Sequence, residues 1–307
     1  MDITLIRTFL EVAASGSFVA ASERLFVTQS AVSLRIQRLE ESLGRPLFTR
    51  SKAGAELTPA GHEFEKYAIS LIKVWEEARQ QIAIPEGFSK SLTIGAQYSL
   101  WPGLGFRWID QLRVAMPDLS LRAEIGMSDR LTRFLTEGVV QVALTYTPRL
   151  RPGISAHKVL DTDLVLVAAW PNPSMDLRGR YVFADWGPEF VQAHSISLPE
   201  LTNPGLTFSL GSMLAPYIIS RNFAAYLPAR YVKLFIDSGE LHLVPDAPRF
   251  PYPVWSVWRD GIDPIVAEIA QSTLDVISRD ARAEQDDVMA RLKKISRNHE
   301  VGILGAE

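Results

Sequence analysis

The chain has 307 residues, 47% of them hydrophobic and 22% charged, with a formal net charge of −3. This is the balance of a globular protein, and the length suits about two or three compact units. There is no cysteine, so disulfides, thiolate chemistry and cysteine-ligated metals are excluded. No run reaches the roughly 18 uncharged apolar residues of a membrane helix. The opening MDITLIRTFLEV carries Asp2 and Glu11 where a signal peptide would be basic. The expectation is a cytoplasmic protein without a membrane partner. Net charge neither demands nor forbids nucleic acid, because one local basic surface is enough. Residues 35–52 hold Arg35, Arg38, Arg45, Arg50 and Lys52 against Glu40 and Glu41.

In chain order, Ile6, Phe9, Leu10 and Ala13 repeat at helical spacing and predict a first helix over 3–14, ended by Gly16. Ser17 can cap a second, FVAASERL, and Thr28 a third that runs to Leu43 and stops at Gly44. On the third, Val32, Ile36, Leu39 and Leu43 fall within about 60 degrees and predict one buried stripe. Ser30, Ser33, Leu34, Gln37 and Arg38 take the opposite side. Three short helices with a tight break before the third describe a helix-turn-helix, whose polar face can enter a major groove. A small helical bundle with a solvated face is the alternative. Next, TRSKAGAELT reads as two short strands, a wing that sets Arg50 and Lys52 against phosphates or forms a solvated hairpin.

Thr58 and Pro59 then open a long helix. Leu57, Ala60, Phe64, Tyr67, Leu71, Val74 and Ala78 alternate steps of three and four, an a/d stripe for a coiled coil. Packing against a twin makes Phe64, Tyr67, Leu71, Val74 and Ala78 dimerisation residues; packing on the same chain is the alternative. A dimer would present two recognition helices to a partly palindromic double-stranded site.

The run FLEVAASGSFVAASERLFVTQSAVSLRIQRLEESLGRPLFTRSKAGAELTPAG resembles the N-terminal signature of LysR-type transcriptional regulators. The resemblance continues through the linker helix, with looser motifs beyond. It implies a homodimer or a dimer of dimers whose C-terminal domain senses a small-molecule co-inducer. It also implies that Thr28, Gln29, Ser30, Ser33, Arg35 and Arg38 contribute to the DNA-facing helix. Leu34 departs from the polar or basic residue that relatives often carry; it either meets a thymine methyl or is an exposed apolar side chain.

From Ser91 the pattern changes. Strands are expected at 92–95, 119–125, 139–144, 163–169, 181–184 and 207–210, and helices at 104–115, 128–137, 187–194 and 212–222. The alternation indicates an open α/β sheet. The family resemblance implies a two-lobed, periplasmic-binding-protein-like layout. The expected division is therefore a winged helix-turn-helix at 1–58, a linker helix and hinge at 59–87, one lobe from 91–161 with 263–300, and a second from 162–262. The tail beyond Asp280 suggests one extra amphipathic helix, through Val288, Leu292 and Ile295, on the first lobe.

A cleft between lobes is lined just beyond strand ends, where helix N-termini offer free N–H groups. Those turns hold Tyr98, Ser99, Leu100 and Trp101, then Ser128 and Asp129, then Thr147, and in the other lobe Asp185, Trp186 and Gly187, with Met213 bordering. Ser99, Ser128 and Thr147 suit a ligand or a structural role equally; Asp185 and Trp186 suit an aromatic or amino-bearing effector, or hold their loop. The five histidines show no metal-ligand spacing, and no Walker loop, dinucleotide fingerprint or GxSxG elbow occurs. The expectation is a cofactor-free, non-enzymatic regulator with DNA, a small effector and its own copy as partners. A ligand-independent DNA-binding protein and a soluble α/β binding protein or enzyme are the alternatives.

Overall fold

A computed structural model describes residues 2–51, 54–177, 179–203, 205–209 and 211–296. The chain divides into two compact units, Met1–Ile84 with Thr136–Val139, and Pro85–Leu135 with the chain from Val140 onward.

In the first unit, α1 (Ile3–Ser15), α2 (Phe18–Leu25) and α3 (Gln29–Leu43) are each opened by a side-chain cap. Asp2, Ser17 and Thr28 accept from Thr4, Ala20 and Ala31 N–H, taking up donors that a helix start leaves free. Gly16 and Gly44 close α1 and α3 in the left-handed conformation. Ile6, Phe9, Val12, Ala21, Val32, Ile36 and Leu39 form one buried cluster. Leu43 is not the fourth member of that stripe: it is 40% exposed and outside the buried cluster.

Strands β1 (Phe48–Ser51) and β2 (Gly54–Leu57) form the expected wing, Phe48 opposite Leu57. Glu40, counted above only as an opposing charge, fixes its root by accepting from Leu47 N at 2.7 Å and Phe48 N at 3.2 Å. α4 (Pro59–Ile82) follows Thr58, whose hydroxyl accepts from Gly61 N and donates to the Pro46 carbonyl.

α4 carries two stripes, of which the heptad reading found one. Phe64 is a correction: it packs edge-on against Phe9, ring centroids 5.0 Å apart, within the cluster of its own chain. Ala68 and Ile72 continue that inner face, and buried Glu76 pairs with Arg7 and Arg79. Tyr67, Leu71, Val74 and Ala78 lie on the exposed side with Trp75 and Ile82.

In the second unit a five-stranded sheet has the order β4-β3-β5-β13-β6. Its strands are β3 (Lys90–Ala96), β4 (Leu119–Ile125), β5 (Val142–Thr145), β6 (Ile154–Leu160) and β13 (Val254–Arg259). β3 runs parallel to β4 and β5, while β13 is antiparallel to β5 and β6. α5 (Phe106–Ala115) and α6 (Ser128–Glu137) connect the parallel strands. The second lobe is built on β7 (Asp163–Ala168), flanked antiparallel by β10 (Ala224–Pro228), β11 (His242–Leu243) and β12 (Phe250–Pro251). A small parallel pair joins β8 (Phe183–Ala184) to β9 (Thr207–Phe208), with α7 (Pro188–Ser197), α8 (Leu214–Arg221) and α9 (Ala229–Asp237) around it.

Two corrections follow. β13 completes the first sheet, so the second lobe gives way near Tyr252 and not at 262; Val254 and Trp258 belong to the first core. The extra helix does not exist as a separate element. α10 (Pro264–Ile295) is continuous, with Val266, Ala270, Leu274, Ile277 and Ala281 in the first lobe's core and Val288 and Leu292 in the second's. Ion pairs from Lys233 to Asp287 at 3.0 Å and Arg291 to Asp237 at 2.8 Å tie its last turns to α9.

His194 lies inside the second core, boxed by Phe183, Phe190, Tyr226 and Phe250 and sharing a 2.8 Å hydrogen bond with the Tyr181 hydroxyl. Burial lowers its imidazole from 6.5 to about 4, so the fold holds it neutral while the unfolded chain takes up a proton near 6.5. Its contribution is therefore complete above pH 6.5 and is lost as pH falls towards 4, where about 3 kcal/mol is gone. Urea titrations between pH 7 and pH 4 should show this slope, and His194→Gln should flatten it. Equal slopes in the two proteins would refute the assignment.

Candidate DNA-reading helix and ligand cleft

α3 is held by its inner residues, so its outer face is set by the helical repeat. Gln29, Ser30, Leu34, Gln37 and Arg38 are exposed and Ser33 is half-buried at the margin. Thr28 is committed to capping, and its hydroxyl shares a 2.9 Å hydrogen bond with Ser30. Gln37 donates to Glu41 at 2.9 Å, a weak exposed contact that leaves its amide available. Arg35 is placed differently from the outward position implied above. It lies half-buried at the seam with α1, its Nη1 3.4 Å from the Thr8 hydroxyl. Arg50 stands on β1 opposite Ala55; its side chain, and Lys52 altogether, lie outside the described residues. Phe26 adopts a left-handed φ of 54° and is 94% exposed between α2 and α3.

The second unit contains a cavity of about 320 Å³ between its lobes. It lies where the chain crosses from one sheet to the other: Tyr252 N–H, between β12 and β13, donates to Thr162 O, between β6 and β7, at 2.6 Å. From the first lobe, Tyr98, Ser99, Ser128, Asp129 and Thr147 line the cavity; from the second, Asp185, Trp186 and Gly187. Leu100 and Trp101 do not: both are buried in the first core, because the turn after β3 rolls directly into a tight helical segment. Met213 is exposed and also lies off the lining.

A chain of hydroxyls and one amide stiffens the first wall. Gln97 Oε1 accepts from Thr145 Oγ1 at 2.9 Å and Tyr146 N at 2.8 Å. Ser99 bonds the Tyr146 hydroxyl at 2.9 Å, and Ser128 bonds both Thr145 and Thr147. The second wall is aromatic. Tyr252 stacks on Tyr146 with centroids 4.0 Å apart and meets Trp186 edge-on at 5.3 Å. Burial, reinforced by Tyr146, Asp185 and Glu189, holds the Tyr252 hydroxyl well above the usual phenol range, and it donates to the Trp186 carbonyl at 2.8 Å. Trp186 Nε1 in turn donates to the Tyr226 carbonyl at 2.9 Å. Sequence reasoning missed Tyr146, Tyr252 and Ser209 as lining residues. Tyr146 directly precedes Thr147, which was the available signal; Tyr252 follows none of the expected strand ends and gave none.

Among the described residues, no group of His, Asp or Glu could hold a metal ion, and no helix is long and apolar enough to cross a membrane.

The two units correspond to two family descriptions: "Bacterial regulatory helix-turn-helix protein, lysR family" matches residues 3–62, and "LysR substrate binding domain" matches residues 85–275. The chain is 31% identical over 267 residues to the HTH-type transcriptional regulator HdfR of Salmonella schwarzengrund, covering 86% of this chain and 94% of that one. HdfR of Escherichia coli is 31% identical over 268 residues, with the same coverage. Among crystal structures, Vibrio fischeri DarR in complex with DNA superposes with a TM-score of 0.53 at 23% identity, covering 90% of this chain and 98% of DarR. ArgP of Mycobacterium tuberculosis gives 0.51 at 22%, covering 91% and 97%. The chain belongs to the LysR family of DNA-binding transcriptional regulators.

Proposed function

We propose that this regulator binds a partly palindromic operator as a dimer or dimer of dimers and answers to a small molecule held between its C-terminal lobes. The observation that carries the reading is the division of α3: Val32, Ile36 and Leu39 are fully buried, while Ser30, Leu34, Gln37 and Arg38 share one exposed face. Such a face suits base-edge contacts from Ser30 and Gln37, a methyl contact from Leu34 and a phosphate contact from Arg38. The exposed apolar row Tyr67, Leu71, Val74 and Ala78 on α4 supports a twin helix as partner, since so long a stripe is costly to leave in water. The cavity supports effector binding: it is walled by both lobes, apolar in the main and edged with hydroxyls. An effector that prefers one arrangement of the lobes would shift the regulator's population and so its promoter output.

Footprinting the upstream region of the chain's own gene tests the reading, and absence of any protected site across genomic fragments would overturn it. Arg38→Ala should weaken operator and random DNA alike and lower the salt slope by about one. A change confined to sequence preference, read by fluorescence anisotropy at several salt concentrations, would contradict the phosphate role.

A further inference from the structure

We infer that the effector carries a protonated alkylamine borne by a small planar ring, and that Asp185 is the residue that selects it. This rests on the cleft being the effector site. Among the described residues, the only charged side chains lining the cavity are Asp129 and Asp185. Lys, Arg and His are absent from that lining. An anion entering the cleft therefore meets carboxylates at close range.

Helix N-termini might be thought to compensate, each offering roughly half a positive charge. Here the chain's own acids already stand in their first turns. α6 has Asp129 in its first turn, and α7 has Glu189. The free N–H ahead of α7, at Gly187, is taken by Asp185 Oδ1 at 2.9 Å. The two arginines nearby in the hydrogen-bond network do not line the cavity. Arg149 is paired with Asp129 at 2.8 Å, and buried Arg230 directs Nη2 to the Ser99 carbonyl at 3.4 Å.

The two acids differ in what remains to them. Arg149 already offsets Asp129, whereas Asp185 is exposed and commits one oxygen to a neutral N–H. Its second oxygen can take a charge-assisted hydrogen bond from an ammonium, a contact roughly twice as strong as a neutral one. The aromatic side chains around it, Tyr98, Tyr146, Trp186 and Tyr252, suit the same ligand. Tyr98 is exposed and offers a face that can attract a cation or stack on a planar body, while Tyr146 and Tyr252, stacked on each other, present their edges. The Ser128–Thr147 hydroxyl pair, 2.7 Å apart, is left for a ring substituent. A cavity of about 320 Å³ has room for a small ring system.

Three probes of one shape separate the charge from the rest: 2-phenylethylamine, 2-phenylethanol and phenylacetate, titrated calorimetrically into the full-length protein at pH 7. The amine should bind at least ten-fold more tightly than phenylacetate, with the alcohol between them. Asp185→Asn keeps an acceptor for Gly187 N–H and should cut that preference below three-fold without moving the unliganded melting temperature. Phenylacetate binding as tightly as the amine would end the amine assignment while keeping the cleft as the effector site. An amine preference that survives both Asp185→Asn and Tyr98→Ala would place the ligand elsewhere and overturn the cleft reading too. Failure of all three to bind at millimolar concentration also overturns the inference.

Discussion

Val74→Asp is expected to give a folded monomer whose operator affinity falls by about two to four orders of magnitude, the range that separates one binding module from two joined ones. Val74 is 63% exposed in the single chain and lies away from the inner face of Ala68 and Ile72, so the substitution leaves the head's own core intact. In a paired α4 the same position sits in an apolar seam, where two carboxylates facing each other cannot be desolvated without large cost. Sedimentation velocity with operator titration checks both parts. A variant that stays dimeric and binds the operator normally would remove Tyr67, Leu71, Val74 and Ala78 from the interface.

The second large effect lies in the sensor. Trp108 on α5 is fully buried, and its indole N–H donates to the Ala270 carbonyl at 3.0 Å and lies 3.1 Å from the Thr273 hydroxyl, both on α10. Its ring meets Trp258 of β13 edge-on, centroids 6.1 Å apart. One side chain therefore joins α5, α10 and the strand that returns from the second lobe. Trp108→Ala removes the ring and its hydrogen bonds to α10, leaves a cavity, and should cost about 3–5 kcal/mol. Against a typical total of roughly 5–15 kcal/mol, that leaves the sensor near its unfolding threshold at physiological temperature. Urea unfolding followed by far-UV circular dichroism gives the measurement, and a loss below about 1 kcal/mol would show that α10 is held by other contacts.

The head was legible because its signals are local. Ser17, Thr28 and Thr58 are caps with an obvious helix behind them, and Gly16 and Gly44 are stops. Val32, Ile36 and Leu39 report their burial through spacing alone. Where the outcome depended on a neighbour, the reading failed. Leu43 has the right phase but stays 40% exposed, Phe64 packs on Phe9 of its own chain, and Arg35 is drawn to Thr8.

The sensor was legible strand by strand where hydrophobic runs were flanked by turns, as at 119–125 and 163–168. It was not legible where a segment belongs to a sheet far away in sequence. β13 gives no sign of its partners β5 and β6, more than 90 residues earlier. The cleft divides in the same way. Ser99, Ser128 and Asp185 follow strand ends and could be named in advance, whereas Tyr252 reaches the cavity because a crossover places it there.

That crossover has a companion in α10, whose 32 residues extend about 48 Å at 1.5 Å per residue. A rod rooted in both lobes acts as an axle. Pulling the lobes apart on its side would uproot Val288 and Leu292, at roughly 1.5–3 kcal/mol each, and break the ion pairs to Lys233 and Asp237. A motion that keeps both ends of the rod seated, such as a roll of the lobes about it, costs less. An effector that prefers one orientation of the lobes would then act by turning one lobe about this shaft.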